Sequence, residues 1–173
     1  LGMRGNDAPP TPVLERFLPQ ASSQPAGPGS SAPFVPAGPP DVSLLPPAEA
    51  ARTLGNWNYD EQDWAQASEH YERSIALGVD NADVRTDLGN CFRFLGQPQK
   101  ALGEYQMAQR QNPQHENSLF NQISLYNDLL HDHAQAVTAA QEFIARFPQS
   151  PQSATARQLA EKPALGDAGG VKR

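Results

Sequence analysis

Leu88-Gly89-Asn90 repeats Leu54-Gly55-Asn56 at a distance of 34 residues, and the same interval separates Ala67 from Ala101 and Tyr71 from Tyr105. A fixed period of that length marks stacked helical hairpins, in which one repeat cannot bury its apolar face alone and its neighbours complete the core. The recurring letters carry steric sense. Gly55, Gly89, Ala67 and Ala101 are small enough for places where two helices approach closely, and Leu54, Leu88, Tyr71 and Tyr105 fill the space beside them. Pro113 follows the second hairpin, where a helix has to stop. The predicted fold class is all-α.

Working outward, the first hairpin is expected over Pro47–Asn58 and Trp64–Leu77, with Gly78 as its C-terminal stop. The second runs over Asp83–Leu95 and Pro98–Gln111; Gly96 ends one helix and Pro98 suits the first turn of the next. The third spans Asn117–Leu130 and Ala134–Phe147, before Pro148. Its start keeps the 34-residue register, since Tyr126 follows Phe92 at that interval, but Ala136 stands 35 residues after Ala101 and Pro148 stands 35 after Pro113. One extra residue therefore belongs in the turn around Leu130–His133. Ser150-Pro151 opens a further helix carrying Ala154, Ala156, Leu159 and Ala160, placed to cover the last apolar face. The expected boundaries are repeats at 48–81, 82–115 and 116–150 and a capping helix at 151–162, within a domain spanning 48–163.

The flanks differ in composition. Twelve of the seventeen prolines lie in residues 1–47, among many Gly, Ser and Ala. Such a stretch buries too little apolar surface to offset the entropy of ordering, so an extended, disordered arm is predicted, as is a disordered tail over 164–173. Thr11–Leu18 stands out within the arm. Thr11 can cap a helix, Pro12 suits its first position, and Val13, Leu14, Phe17 and Leu18 share one face. Eight residues hold no helix alone in water, so this segment is expected to order only on docking, on a partner in preference to its own repeats. Val42-Ser43-Leu44-Leu45 is expected to pack on the first repeat helix.

The net charge of −6 is concentrated in the first repeat, with Glu49, Asp60, Glu61, Asp63, Glu69, Glu72 and Asp80 against Arg52 and Arg73. This is no footprint for nucleic acid or an anionic membrane surface. The single cysteine, Cys91, excludes an internal disulfide and reads as a buried thiol. No apolar run approaches the roughly eighteen residues that cross a bilayer. His131-Asp132-His133 lacks a third or fourth ligand at metal spacing and reads as a polar turn. No phosphate loop and no nucleophile–base arrangement is recognisable. A non-enzymatic chain without cofactor or metal is expected. Trp57 and Trp64 flank the first turn and are expected to pack.

The pattern resembles the tetratricopeptide repeat (TPR). The run Asn81-Ala82-Asp83-Val84-Arg85-Thr86-Asp87-Leu88-Gly89, with Leu119-Phe120-Asn121 and the one-residue insertion, is similar to bacterial three-repeat TPR proteins. Those proteins carry an N-terminal membrane span and a Pro/Ala-rich linker, and some hold apocytochrome during cytochrome c maturation. The resemblance implies a right-handed helical superhelix and a protein or peptide partner. It also implies membrane attachment only through an anchor upstream of Leu1, with the repeats in the periplasm or cytoplasm. Repeat three departs from the pattern, with Gln122-Ile123 in place of Leu-Gly, and looser packing is expected there.

In that family the first helix of each hairpin lines a concave groove. Carried over by register, the inward positions are Arg52, Asn56, Tyr59, Thr86, Asn90, Arg93, Phe120, Asn121, Ser124 and Asn127. Asparagine can bond a peptide backbone as donor and acceptor, and arginine can grip a carboxylate with two N–H groups. Tyr59, Arg93 and Phe120 are the expected anchors, as exposed aromatics and arginine carry much interface energy. The co-chaperone clamp for heat-shock-protein tails is not expected: Asp87 stands where that clamp has asparagine, and Phe120 and Ser124 where it has cations. Two readings follow: a scaffold or assembly factor for a fixed partner, and a chaperone-like holder of a secreted or membrane-associated client such as an apocytochrome.

Overall fold

The computed structural model describes residues 38–161, which hold seven helices and no strand. They are α1 (Pro47–Asp60), α2 (Trp64–Ala76), α3 (Ala82–Phe94), α4 (Pro98–Gln111), α5 (Glu116–Asp128), α6 (His133–Arg146) and α7 (Ser153–Glu161). Each helix packs on the next, most extensively within the pairs α1–α2, α3–α4 and α5–α6, and α3 also touches α5. The expected arm docking face, Val13, Leu14, Phe17 and Leu18, and the 164–173 tail lie outside the described residues.

Local chemistry sets the helix starts. Asp63, Asn81 and Asp132 each accept a hydrogen bond from the backbone N–H three residues on, at 3.0–3.1 Å, so the first turns of α2, α3 and α6 are capped. His115 takes that place for α5, and prolines occupy the first positions of α1 and α4. The turns inside the hairpins share one left-handed residue: Gln62 (φ 61°), Gly96 (φ 70°) and His131 (φ 53°). The first two turns, 61–63 and 95–97, are one residue shorter than the third, 129–132. The extra residue lies at Leu129–Leu130, directly before His131.

Inside the pairs, glycine faces tyrosine. A Cβ on Gly55 would lie 2.8 Å from Cε1 of Tyr71, and one on Gly89 would lie 2.5 Å from Cε1 of Tyr105. Only a residue without a side chain lets these helices approach so closely. These rings, with Ala67, Val84, Leu88, Cys91, Ala101 and Leu125, form the first core cluster. Repeat three solves the same contact with the sizes exchanged: Ile123 stands at the glycine position and Ala140 at the tyrosine position. Both are buried with Leu119, Phe120 and Phe143 in a second cluster, yet α5 and α6 pack less extensively than the two earlier pairs, the looser packing expected from the departure at Ile123. Ala156 of α7 is fully buried in that cluster, and Ser153 is buried beside it with its hydroxyl on the Phe147 carbonyl. The last helix covers the end of the stack, with Ala154 outward.

One expectation near the start of the array is overturned. Leu44 is 96% exposed and Leu45 41% exposed, so Val42–Leu45 does not seal the first helix. Asp41 accepts the Ser43 N–H at 2.9 Å and Leu45 N–H donates to the Val42 carbonyl, a turn that carries Leu44 into solvent.

Candidate functional site

The α1, α3 and α5 helices present a row of asparagines that the core holds in place. Tyr71 donates its hydroxyl to Asn56 Oδ1 at 3.0 Å, and Tyr105 donates to Asn90 Oδ1 at 2.8 Å. The two pairs are equivalent through the 34-residue period. Asn121 Nδ2 also donates to Asn90 Oδ1, at 2.9 Å, which ties α5 to α3. A side-chain amide fixed by buried partners costs little further ordering when it meets a ligand. Asn56 is the exposed member, and Asn121 is half-buried.

The remaining expected positions fall into three groups. Arg93 is 12% exposed, lies 3.8 Å from Asp128 and leaves its buried Nε without a partner. Asn127 donates to the same Asp128 at 2.7 Å, and Ser124 is half-buried nearby on α5. Arg52 is held by Glu49 at 2.8 Å on α1. These four residues are half-buried. Tyr59 is half-buried rather than exposed, edge-on to Trp64 at 5.0 Å and to Tyr71 at 6.5 Å. It forms a wall, and burial raises its phenol pKa well above the ordinary value.

Two expected positions are not presented at all. Phe120 is 3% exposed, with its ring 5.4 Å from that of Phe143. It is core, packed in one cluster with Ile123, Ala140 and Phe143. Thr86 is 4% exposed and donates its hydroxyl to the Ala82 carbonyl at 2.7 Å, so it serves its own helix.

The sequence drew attention to Asp87 only as a departure from another site. In the structure its carboxyl is pushed up to about 7, first by burial and then by the nearby carboxylates of Asp83 and Asp60. The α1–α3 end of the face is thus acidic, and the α3–α5 end carries the Arg93–Asp128 pair. Cys91 is buried beneath it, its thiol pushed up to about 12 by burial and by Asp87. Trp64 stacks on Phe94 at 4.3 Å, a packing role as expected. Among the described residues no group of three or more His, Cys, Asp or Glu is placed to hold a metal ion, and no helix is long and apolar enough to cross a membrane.

Residues 117–150, which contain α5 and α6, match the family model for the tetratricopeptide repeat. The fold is a tetratricopeptide-repeat fold. Solved TPR structures superpose on it. The Arabidopsis OM64 TPR domain is 19% identical with a TM-score of 0.59, over 65% of this chain and 92% of that one. The second TPR domain of human RPAP3, solved in complex with an HSP70 peptide, is 17% identical with a TM-score of 0.59, over 66% and 96%. YrrB, described as a TPR protein with an unusual peptide-binding site, is 24% identical with a TM-score of 0.56, over 69% and 58%. Comparison of the sequence with curated proteins gave no match.

Proposed function

We propose that this TPR array is a non-catalytic module that binds a polypeptide segment of a partner protein across the face formed by α1, α3 and α5. The observation that carries the reading is the asparagine row, with Asn56 and Asn90 held at one period by the hydroxyls of Tyr71 and Tyr105. A row of oriented amides suits an extended backbone, which offers N–H and C=O groups in alternation. The RPAP3 domain was solved with an HSP70 peptide and a yeast Sti1 domain with an Hsp70 peptide, which supports peptide binding as a use of such a face. Acid-ended tails of that kind do not suit the present chain, because Asp87, Asp83 and Asp60 make the α1–α3 end of the face acidic.

The test is affinity capture from the native source with the wild-type chain, followed by the variant Asn56→Ala with Asn121→Ala. A partner retained by the wild type and lost by the variant, with helical content unchanged, supports the face. Retention by both shows that binding lies elsewhere. A second reading, a holder of unfolded secreted or membrane-associated client, rests on the likeness of the run Asn81–Gly89 to bacterial TPR proteins. It calls for reversible binding of unfolded peptide instead of one stoichiometric partner.

A further inference from the structure

The two junctions between repeats, α1–α3 and α3–α5, follow one plan and differ at a single side-chain donor. At the second, Asn90 Oδ1 accepts twice, from the Tyr105 hydroxyl at 2.8 Å and from Asn121 Nδ2 at 2.9 Å. One period earlier, Asn56 Oδ1 accepts the Tyr71 hydroxyl at 3.0 Å, and Asp87 takes the place of Asn121. Aspartate and asparagine share a shape, but an ionised carboxylate only accepts. By the period, the first junction therefore sets two acceptors, Asn56 Oδ1 and the Asp87 carboxylate, against each other with no donor amide between them. Asn56 cannot turn its Nδ2 toward the carboxylate without stranding the Tyr71 hydroxyl.

The packing differs accordingly. α3 packs on α5 more extensively than on α1, and Asn90 is half-buried whereas Asn56 is exposed. The half-buried Asp87 carboxyl has no hydrogen bond among the described residues. The titratable groups that face it are Tyr59 and Asp60 on α1, Tyr71 on α2, and Asp83 and Cys91 on its own helix. The His115 imidazole lies on Asp83, at 3.0 Å, and neither α4 nor α5 brings a charge to bear on Asp87. Burial, then the carboxylates of Asp83 and Asp60, push its pKa up to about 7, so the carboxyl holds a proton in the mildly acidic range.

A protonated Asp87 supplies the missing donor. Its O–H replaces the N–H of Asn121, and Asn56 Oδ1 accepts it on the lone pair that Tyr71 leaves free, as Asn90 Oδ1 accepts two donors. We propose that the α1–α3 junction is a proton-operated latch, closed by a hydrogen bond from Asp87 to Asn56 and opened when Asp87 ionises. The structure, with no such bond, shows the open arrangement. The sign follows from the raised folded-state value: the proton is held below about pH 7 and released above it, so the latch closes in acid and opens in mild alkali. The α3–α5 junction, with an amide in the same place, stays closed throughout. The spacing from Asn56 to Asn90 is set at the first junction, so only that half of the asparagine row responds to pH. The latch is a property of the fold and stands whether or not the row binds a peptide.

The test is an NMR titration of the isotope-labelled full chain from about pH 5 to about pH 9, followed at the Asp87 carboxyl carbon and the Asn56 side-chain amide. The expected result is one shared midpoint at about 7, with a nuclear Overhauser contact between the Asn56 amide and the Asp87 methylene on the acid side only. One net hydrogen bond should shift the closed-to-open ratio by about tenfold. Two variants exchange the junctions. Asp87→Asn should remove the transition and keep the contact across the whole range. Asn121→Asp should give the Asn90 amide a pH transition that the wild type lacks. An Asp87 carboxyl that stays ionised throughout, or an Asn56 amide indifferent to its titration, would overturn the latch. So would an Asp87→Asn chain without the contact at any pH, or an Asn121→Asp chain whose Asn90 signals do not move.

Discussion

The ring of Tyr105 occupies the space that a side chain on Gly89 would need, 2.5 Å from where its Cβ would stand, while the Tyr105 hydroxyl reaches past it to Asn90. One residue therefore sets both the distance between α3 and α4 and the orientation of an amide on the candidate binding face.

Gly89→Ala should destabilise the fold by about 1–3 kcal/mol through overpacking, visible as a lower denaturation midpoint. Gly89→Ile should cost more. Combining it with Tyr105→Ala reproduces the Ile123–Ala140 arrangement of repeat three and should recover part of that loss. A double variant no more stable than Gly89→Ile alone would count against the exchange of sizes.

Asp87 should make stability depend on pH. Its folded-state carboxyl titrates near 7 against an ordinary 3.8, so the folded chain binds the proton more tightly than the unfolded one. The associated stabilisation is present below about pH 4 and is lost as pH rises through 7, to a maximum of about 4 kcal/mol. Asp87→Asn should therefore raise the melting temperature more at pH 8 than at pH 4. A shift equal at both values would show that Asp87 does not titrate in this range.

Cys91 should be inert. With its thiol buried and pushed up to about 12, almost no thiolate exists at pH 8. A thiol reagent should label the chain only under unfolding conditions, at a rate that follows global opening. Rapid labelling of the native chain would show that α3 is less well packed than described.

The turns offer a gain in stability. Gln62 and His131 hold the left-handed conformation that Gly96 adopts in the middle hairpin. Replacing either with glycine should stabilise by about 0.5–1 kcal/mol, less whatever the freer unfolded chain takes back. The check is chemical denaturation of each single variant beside Gly96→Ala, which should move the other way.

The hairpins, the inserted residue and the closing helix were legible because each rests on a local signal: a 34-residue interval, a left-handed turn, a proline or a cap. The face was only partly legible. Carrying the register of Arg52 and Thr86 onto α5 reached Phe120 and its neighbour Asn121, but it misplaced Phe120, whose ring packs into the core with Phe143. Leu44 was misjudged for a related reason: apolar letters beside a helix do not reveal that an Asp41 turn sends one of them outward. The proximity of Asp60, Asp83 and Asp87 depends on how different helices meet, which no local pattern records.

The wiring of Asn56 and Asn90 to core tyrosines limits where this module can acquire a new preference. In the first two repeats an exchange that removes the side-chain acceptor strands a buried hydroxyl, so a novel specificity there starts from a loss. The third repeat has no such bond to break, since Ser124 and Ala140 stand at those positions. Innovation in what the face recognises should therefore enter through α5, leaving the first two repeats as its fixed frame.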